Sequence, residues 1–414
     1  MQIHTNPLTT IKNEKITINT SINYLFILYA FFLPTSKAGV NFAEILIILL
    51  WIYDSNWKDK IIAYKTNFII LTFALFIGYN ILSLLWADNL SFAIAYIEKY
   101  RHFLIIPAIY TYINKKFIQA FLNSFLTGML ISELFSYGIF FEIITYKNKL
   151  PSDPSPFMDH ISYSVFLSFT AIILLNRIFF NPSIKYKLFQ IIFFITVTTN
   201  LFLNGGRTGQ VTFIVTLATL YFLNIKHKII ALFGIIITLG IILTLSYNFN
   251  PNFISRMAQT NIDIKNMLYN DTYNGSISNR VALWYIGIDE ILDQKYIIGA
   301  GIGNDTSKME YYADKNKFKY SDIKQGDHHN MFITYFIQLG LFGFILISLL
   351  FYFIFKLDIK NKVYRNLNIT FAITFLLWSF TGMNFHGMNP MTLFAFFIGL
   401  FNSISRYEDI KISS

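Results

Sequence analysis

Apolar runs long enough to cross a bilayer recur along nearly the whole chain, separated by short polar joints. About twelve spans are expected. They lie near 22–36, 39–53, 67–86, 92–113, 117–145 and 159–180, then near 188–204, 208–225, 228–247, 330–355, 364–383 and 388–404. The second run is short, and the fifth is long enough to tilt or break. One stretch interrupts the pattern, the long polar loop over residues 248–328. Its middle, from Ser278 to Leu292, reads as an amphipathic helix with Ser278 as N-cap and Val281, Trp284, Ile288 and Ile291 on one stripe. The predicted class is an all-α polytopic membrane protein. Residues 1–414 are read as a single integral membrane domain with one large loop carrying short helices. No second domain or internal repeat is visible.

Composition agrees with that class. Hydrophobic residues make up 54% of the chain and charged residues only 14%, against about a quarter in soluble proteins. Mean hydropathy is +0.48. Without cysteine, disulfide and thiol chemistry are excluded. The formal charge of +10 does not point to nucleic acid, because most of the basic residues act as topology signals. Lys58, Lys60 and Lys65, then Lys115 and Lys116, Arg177, Lys185 and Lys187, Lys226 and Lys228, and finally Lys356 to Arg365 fall in alternate joints. These joints share a side with both ends of the chain, so both termini are expected in the cytoplasm and the large loop outside it. The polar start, with Lys12 and Lys15, lacks a cleavage pattern, so the first apolar run is expected to stay as an anchor. Lys99, Arg101, Arg207, Arg256 and Arg280 fall on the opposite side, where that rule does not account for them.

Candidate chemistry gathers on the same outer side. Gly326-Asp327-His328-His329-Asn330 leads directly into the apolar run that contains Gly340 and Gly343. At roughly 100° per residue, Gly340 falls near the face of His329, so small residues are expected to let a neighbouring helix approach there. A histidine that merely ends a helix is the plainer reading of His329. Arg207 sits in the tight turn Asn204-Gly205-Gly206-Arg207, where its guanidinium either snorkels to the interface or grips a phosphate. Arg280 opens the loop helix, where amides attract anions, although a solvated loop charge is again the plainer reading. Lys99 and Arg101 stand beside Glu98, expected to pair or to face a wet cavity. Asp159, His160, Asn384 and His386 are further polar groups on that side. Gly299-x-Gly301-x-Gly303 follows a helix and opens no βαβ unit, so it reads as turn glycines rather than a dinucleotide fingerprint. No acidic or histidine pattern suits Mg²⁺ or Zn²⁺, and there is no P-loop.

His329-Asn330, nine residues, then Gly340-Leu341-Phe342-Gly343 resembles the H-[NSQ]-x9-G-x-x-[GTY] signature of WaaL-type O-antigen ligases. That superfamily includes Wzy-type polymerases and protein O-oligosaccharyltransferases. Arg280 with Trp284 and the glycine turn is similar to a second superfamily pattern, and Arg207 looks like the arginine that binds the lipid diphosphate. The resemblance implies a GT-C-type glycosyltransferase fold in a bacterial inner membrane, with its site facing the periplasm. It implies an undecaprenyl-diphosphate-linked O-antigen as donor and lipid A–core oligosaccharide as acceptor; from the missing metal and nucleotide patterns, no cofactor is expected. His329 is then the expected base, with Asp327, His328 or Asn330 to orient it, and Lys99 and Arg101 in support. The choice of base between His329 and His328 stays open. A Wzy-type polymerase and a protein O-oligosaccharyltransferase are the nearest alternatives. A transporter fits less well, since it predicts repeated halves and ionisable groups at mid-membrane.

Overall fold

A computed structural model describes residues 17–54, 56–180, 183–249, 251–318 and 327–413. The polar start with Lys12 and Lys15, and Gly326, lie outside the described residues. Regular structure among the described residues is helical throughout. The first six α-helices are α1 (Ile18–Phe32), α2 (Lys37–Tyr53), α3 (Trp57–Lys65), α4 (Phe68–Leu82), α5 (Leu90–Glu98) and α6 (Ile105–Tyr112). Five longer ones follow: α7 (Ile118–Phe140), α8 (His160–Phe180), α9 (Ile184–Leu203), α10 (Arg207–Asn224) and α11 (Lys228–Phe249). The large loop contains α12 (Pro251–Asn270), α13 (Ser278–Gln294) and α14 (Met309–Lys315). The chain closes with α15 (Met331–Phe355), α16 (Lys362–Ser379) and α17 (Met388–Ser413).

Seven helical stretches among the described residues are long and apolar enough to cross a membrane. They are Phe68–Trp86, Lys115–Phe140, His160–Phe180, Ile184–Leu203, Lys228–Asn248, Met331–Phe355 and Met388–Glu408. Burial ranks them. The last is 94% buried and His160–Phe180 78%, whereas Lys228–Asn248 is only 24% buried, so α17 and α8 form the centre and α11 lies at the rim. The other expected runs hold shorter or less apolar helices. The run 92–113 is not one helix. It is α5, a 3-10 turn over Lys99–Leu104, and α6. The turn buries His102 against the Glu44 carboxylate at 2.8 Å, and Pro107, which has no N–H to donate, sits in the first turn of α6. The fifth run ends at Phe140, five residues short of the expected limit, where the chain turns through Glu142 at φ 58°.

The expectation that Gly340 and Gly343 lie on one continuous helical face is overturned. Gly340 has φ 67° and ψ −160°, and α15 kinks there. The freed backbone groups are taken up by the glycine turn of the large loop. Ala300 N–H donates to Ile337 O at 2.7 Å, Gly301 N–H to Gln338 O at 2.9 Å, and Leu341 N–H to Tyr296 O at 3.2 Å. Gly299 and Gly340 face each other across this pairing with no room for a side chain. A methyl on Gly340 would come within 3.0 Å of Ile297 O, and one on Gly299 within 3.0 Å of Gln338 O. Gly299, Gly301 and Gly303 all have positive φ, as turn glycines should. Gly343 is buried, and a methyl there would press on the Leu339 side chain of its own helix.

Gly340→Ala should therefore destabilise the protein by at least about 2 kcal/mol, combining left-handed strain with a backbone clash. Thermal unfolding in detergent measures this. Gly78→Ala, whose methyl meets nothing within 4 Å, is the control and should leave the midpoint unchanged or slightly raised.

Candidate active site

The turn between α9 and α10 shows why its residues are small. Asn204 Oδ1 accepts the Gly206 N–H at 2.9 Å, and Asn204 Nδ2 donates to Ser155 Oγ at 2.6 Å, which holds the turn down. Gly206 and Gly209 lie so close to Ser164 of α8 that a methyl on either would come within 3.0 Å of it. These glycines serve close packing, not unusual backbone angles, since neither has positive φ. Arg207 is the first residue of α10 and is thereby fixed where the helix begins. Its Nη2 donates to Arg256 O at 3.3 Å, while its Nη1 is buried without a hydrogen bond. The Arg256 guanidinium lies over Gly205, where an added methyl would stand 3.0 Å from Nη2.

Arg207, Arg256 and Arg280 line one cavity of about 790 Å³. Its other walls are mainly apolar, among them Phe202, Val211, Leu243, Phe253, Met257, Val281, Trp284, Leu377 and Phe380. Arg280 is held there by α13, which is capped differently from expectation. Asp263 of α12 accepts the Ile277 N–H at 2.7 Å and the Ser278 hydroxyl, so the cap comes from a neighbouring helix and not from Ser278. The stripe of α13 is also rotated. Ala282, Leu283, Ile286, Gly287 and Glu290 are buried, Val281 and Trp284 face the cavity, and Ile288 is exposed. Burial is the main cause that lowers the Arg280 pKa. The Arg207 charge lowers it further, and Asp327 opposes the shift. Guanidiniums gathered this way repel one another, and an anion between them relieves the repulsion.

His329 is not itself a wall of the cavity. It has φ 48°, the left-handed region. Its N–H donates to Asp327 Oδ1 at 2.5 Å, and its Nδ1 lies 3.5 Å from the same oxygen. Burial lowers the His329 pKa. Arg280 and His328 add to that, and Asp327 opposes it, so the imidazole favours its neutral form. Asn330 is the N-cap of the following helix, α15, its side chain accepting from Phe332 N–H at 3.0 Å and Ile333 N–H at 3.2 Å. The ring of His328 is wholly buried, with Nδ1 3.9 Å from Asp305 Oδ2.

The structure separates the other two basic residues. Lys99 Nζ lies 2.5 Å from His386 Nε2 rather than on Glu98, and Tyr96 stacks on the His386 ring at 3.8 Å. Burial and the Lys99 charge push the His386 pKa down to about 4, with Asp305 and Asp327 opposing. Arg101 instead reaches Asn41 at 3.3 Å on an exposed face. His160 is 3.8 Å from Asp153, which accepts the Ser155 hydroxyl at 2.6 Å. Arg256 is the cavity residue that motif reading passes over. Its signal was its place among the basic residues the charge rule leaves unexplained.

Residues 192–348 match the model of a family described as O-antigen ligase. The match runs from within α9 to within α15 and includes Arg207, Arg256, Arg280 and His329. The chain is also 25% identical over 414 residues to a Haemophilus influenzae protein described as uncharacterized, covering 93% of this chain and 97% of that one.

Reaction with diethyl pyrocarbonate, read peptide by peptide by mass spectrometry, follows the neutral imidazole. The midpoint for His329 should fall below the ordinary 6.5. Asp327→Asn removes an anion that favours the proton, so the midpoint should drop further. Arg280→Gln removes a cation that disfavours it, so the midpoint should rise. A midpoint above 6.5, or shifts of the opposite sign, would contradict this electrostatic description.

Proposed function

We propose, for a chain whose residues 192–348 match the O-antigen ligase family model, that it transfers O-antigen polysaccharide from a lipid diphosphate to a hydroxyl of lipid A–core oligosaccharide. The supporting observation is the shape and charge of one cavity. Arg207, Arg256 and Arg280 stand in a largely apolar space of about 790 Å³, which suits a lipid carrying a diphosphate headgroup. His329 lies within electrostatic reach of Arg280, in a form that favours accepting a proton. The donor is read as undecaprenyl-diphosphate-linked O-antigen. Its diphosphate lies among the arginines and its prenyl chain against the apolar walls.

In the reaction, the acceptor hydroxyl oxygen attacks the anomeric carbon of the donor sugar. The bond from that carbon to the diphosphate oxygen breaks, and its electron pair leaves with the diphosphate. The His329 imidazole takes the hydroxyl proton. Guanidinium charge offsets the negative charge that develops on the leaving group. Asp327 stabilises the imidazolium that forms, because its charge favours the protonated ring. The chain is read as lying in the inner membrane of a Gram-negative bacterium, with both termini cytoplasmic and the arginine cavity facing the periplasm. Lys99, beside His386, is assigned a supporting place near the site, and Arg101, which reaches away to Asn41, is not.

Lipopolysaccharide from a strain lacking the protein should show lipid A–core without O-antigen, while lipid-linked polymer accumulates. Wild-type protein should restore the ladder. His329→Ala, present in the membrane at equal amount, should lower transfer by about 10²–10⁴-fold. Arg207→Ala and Arg280→Ala should each weaken it as well. Cores carrying a single repeat would instead identify a polymerase, and an unchanged ladder would redirect attention to protein glycosylation.

A further inference from the structure

His328 is adjacent to the proposed base, yet it reaches neither solvent nor the arginine cavity. Its side chain is 0% exposed, and neither ring nitrogen has a hydrogen-bond partner among the described residues. If packing were its only role, an apolar side chain of similar volume would do better, since each buried polar atom without a partner costs free energy. The polar ring instead faces a buried carboxylate. Asp305 Oδ2 lies 3.9 Å from His328 Nδ1, and Asp305 Oδ1 accepts from Gln338 Nε2 at 2.6 Å. Gln338 stands two residues before the break at Gly340, and Asp305 two residues after Gly303. The carboxylate thus ties His328 to the same pairing of loop and helix.

The opposite side of the ring lies against α13. A methyl on Gly287 would come within 3.0 Å of His328 Cδ2 and of Ile333 Cγ2, so α13 reaches His328 only because that residue is glycine. Arg280 precedes Gly287 by seven residues, two turns along nearly the same helical face. One face of α13 therefore carries Arg280 into the cavity and rests on His328. His329 itself holds a left-handed backbone, which a residue with a side chain keeps only where its surroundings enforce it. The buried peg at 328, the Asp327 carboxylate that accepts the His329 N–H, and the helix cap at Asn330 all hold the backbone there.

We propose that His328 is a positioning residue: its imidazole, pegged between Gly287 of α13 and Asp305, sets the place of His329 relative to Arg280. The proposal rests on the reading of His329 as the base and of Arg280 as a diphosphate ligand. It assigns His328 no contact with substrate. Displacing a base by about an ångström costs up to roughly a hundredfold in rate, while ground-state binding at the three arginines is left in place.

The test uses purified full-length protein with lipid-diphosphate-linked O-antigen and lipid A–core extracted from the parent strain. His328→Leu removes the polar ring but fills its space, so the protein should stay folded. Its kcat should fall about ten- to a hundredfold, with KM for the donor within about twofold of wild type. Asp305→Asn should lower kcat in the same direction by a smaller factor, and His328→Gln should recover part of the loss. If His328→Leu does not fold, Asp305→Asn carries the same kcat-against-KM reading. Unchanged kcat in a folded variant overturns the proposal, as does a rise in donor KM at constant kcat. Activity that only tracks the amount of folded protein also overturns it. An active His329→Ala would overturn the underlying reading together with the proposal. An inactive His329→Ala beside a fully active His328→Leu would overturn positioning alone.

Discussion

Two backbones meet at Gly299 and Gly340 with no space for a side chain on either. The rest of the site depends on that contact. It breaks α15, and the carbonyls of Ile337 and Gln338, which would have bonded within the helix, accept from Ala300 and Gly301 instead. The loop that supplies these donors leaves the C-terminal end of α13. At its other end, α13 is capped by Asp263 of α12. Arg280 therefore stands on a helix held at both ends, and His329 on the segment that enters the broken helix. Backbone pairing at the glycines and buried side chains, Asp263 at the start of α13 and Asp305 beside the kink, together hold the two segments that carry Arg280 and His329.

Charge supplies the second constraint. Arg207, Arg256 and Arg280 share one cavity, and the nearby carboxylate of Asp263 is already engaged in capping α13. Like charges held together in a partly desolvated space are unfavourable until an anion joins them. The apolar walls select what else that anion may carry. A diphosphate on a hydrocarbon chain satisfies both halves of the cavity, which connects its electrostatics to the transfer chemistry proposed for it. His329 extends the same logic, because burial and the Arg280 charge, which depress its protonation, leave the neutral ring needed to accept a proton.

Much of this was legible in the sequence, for identifiable reasons. Apolar run length marks helices without regard to what they pack against, so most spans lie where the runs do. Arg207 and Arg280 stood out because the topology rule leaves basic residues in those joints without a purpose, and Arg256 met the same test but lay in no motif. The kink at Gly340 was not legible. A glycine repeated three residues on, in an apolar run, looks the same whether it admits a neighbouring helix or adopts φ 67° against a loop. The true partner, Gly299, lies far away in the chain. The face of α13 was misread because its buried side includes Gly287 and Glu290, neither of which belongs to an apolar stripe. Asn330 is a helix cap of ordinary kind, an Asn directly before an apolar run, and the motif reading drew attention away from that role.

The central claim is that a lipid diphosphate occupies the arginine cavity with its reacting carbon beside His329. A cryo-electron microscopy structure of the protein with its lipid-linked donor, using the His329→Ala variant to prevent turnover, tests it most directly. The account predicts diphosphate density between Arg207, Arg256 and Arg280, prenyl density along the apolar walls, and the first sugar directed toward position 329. Diphosphate density elsewhere, with the three guanidiniums left facing an empty cavity, would contradict it.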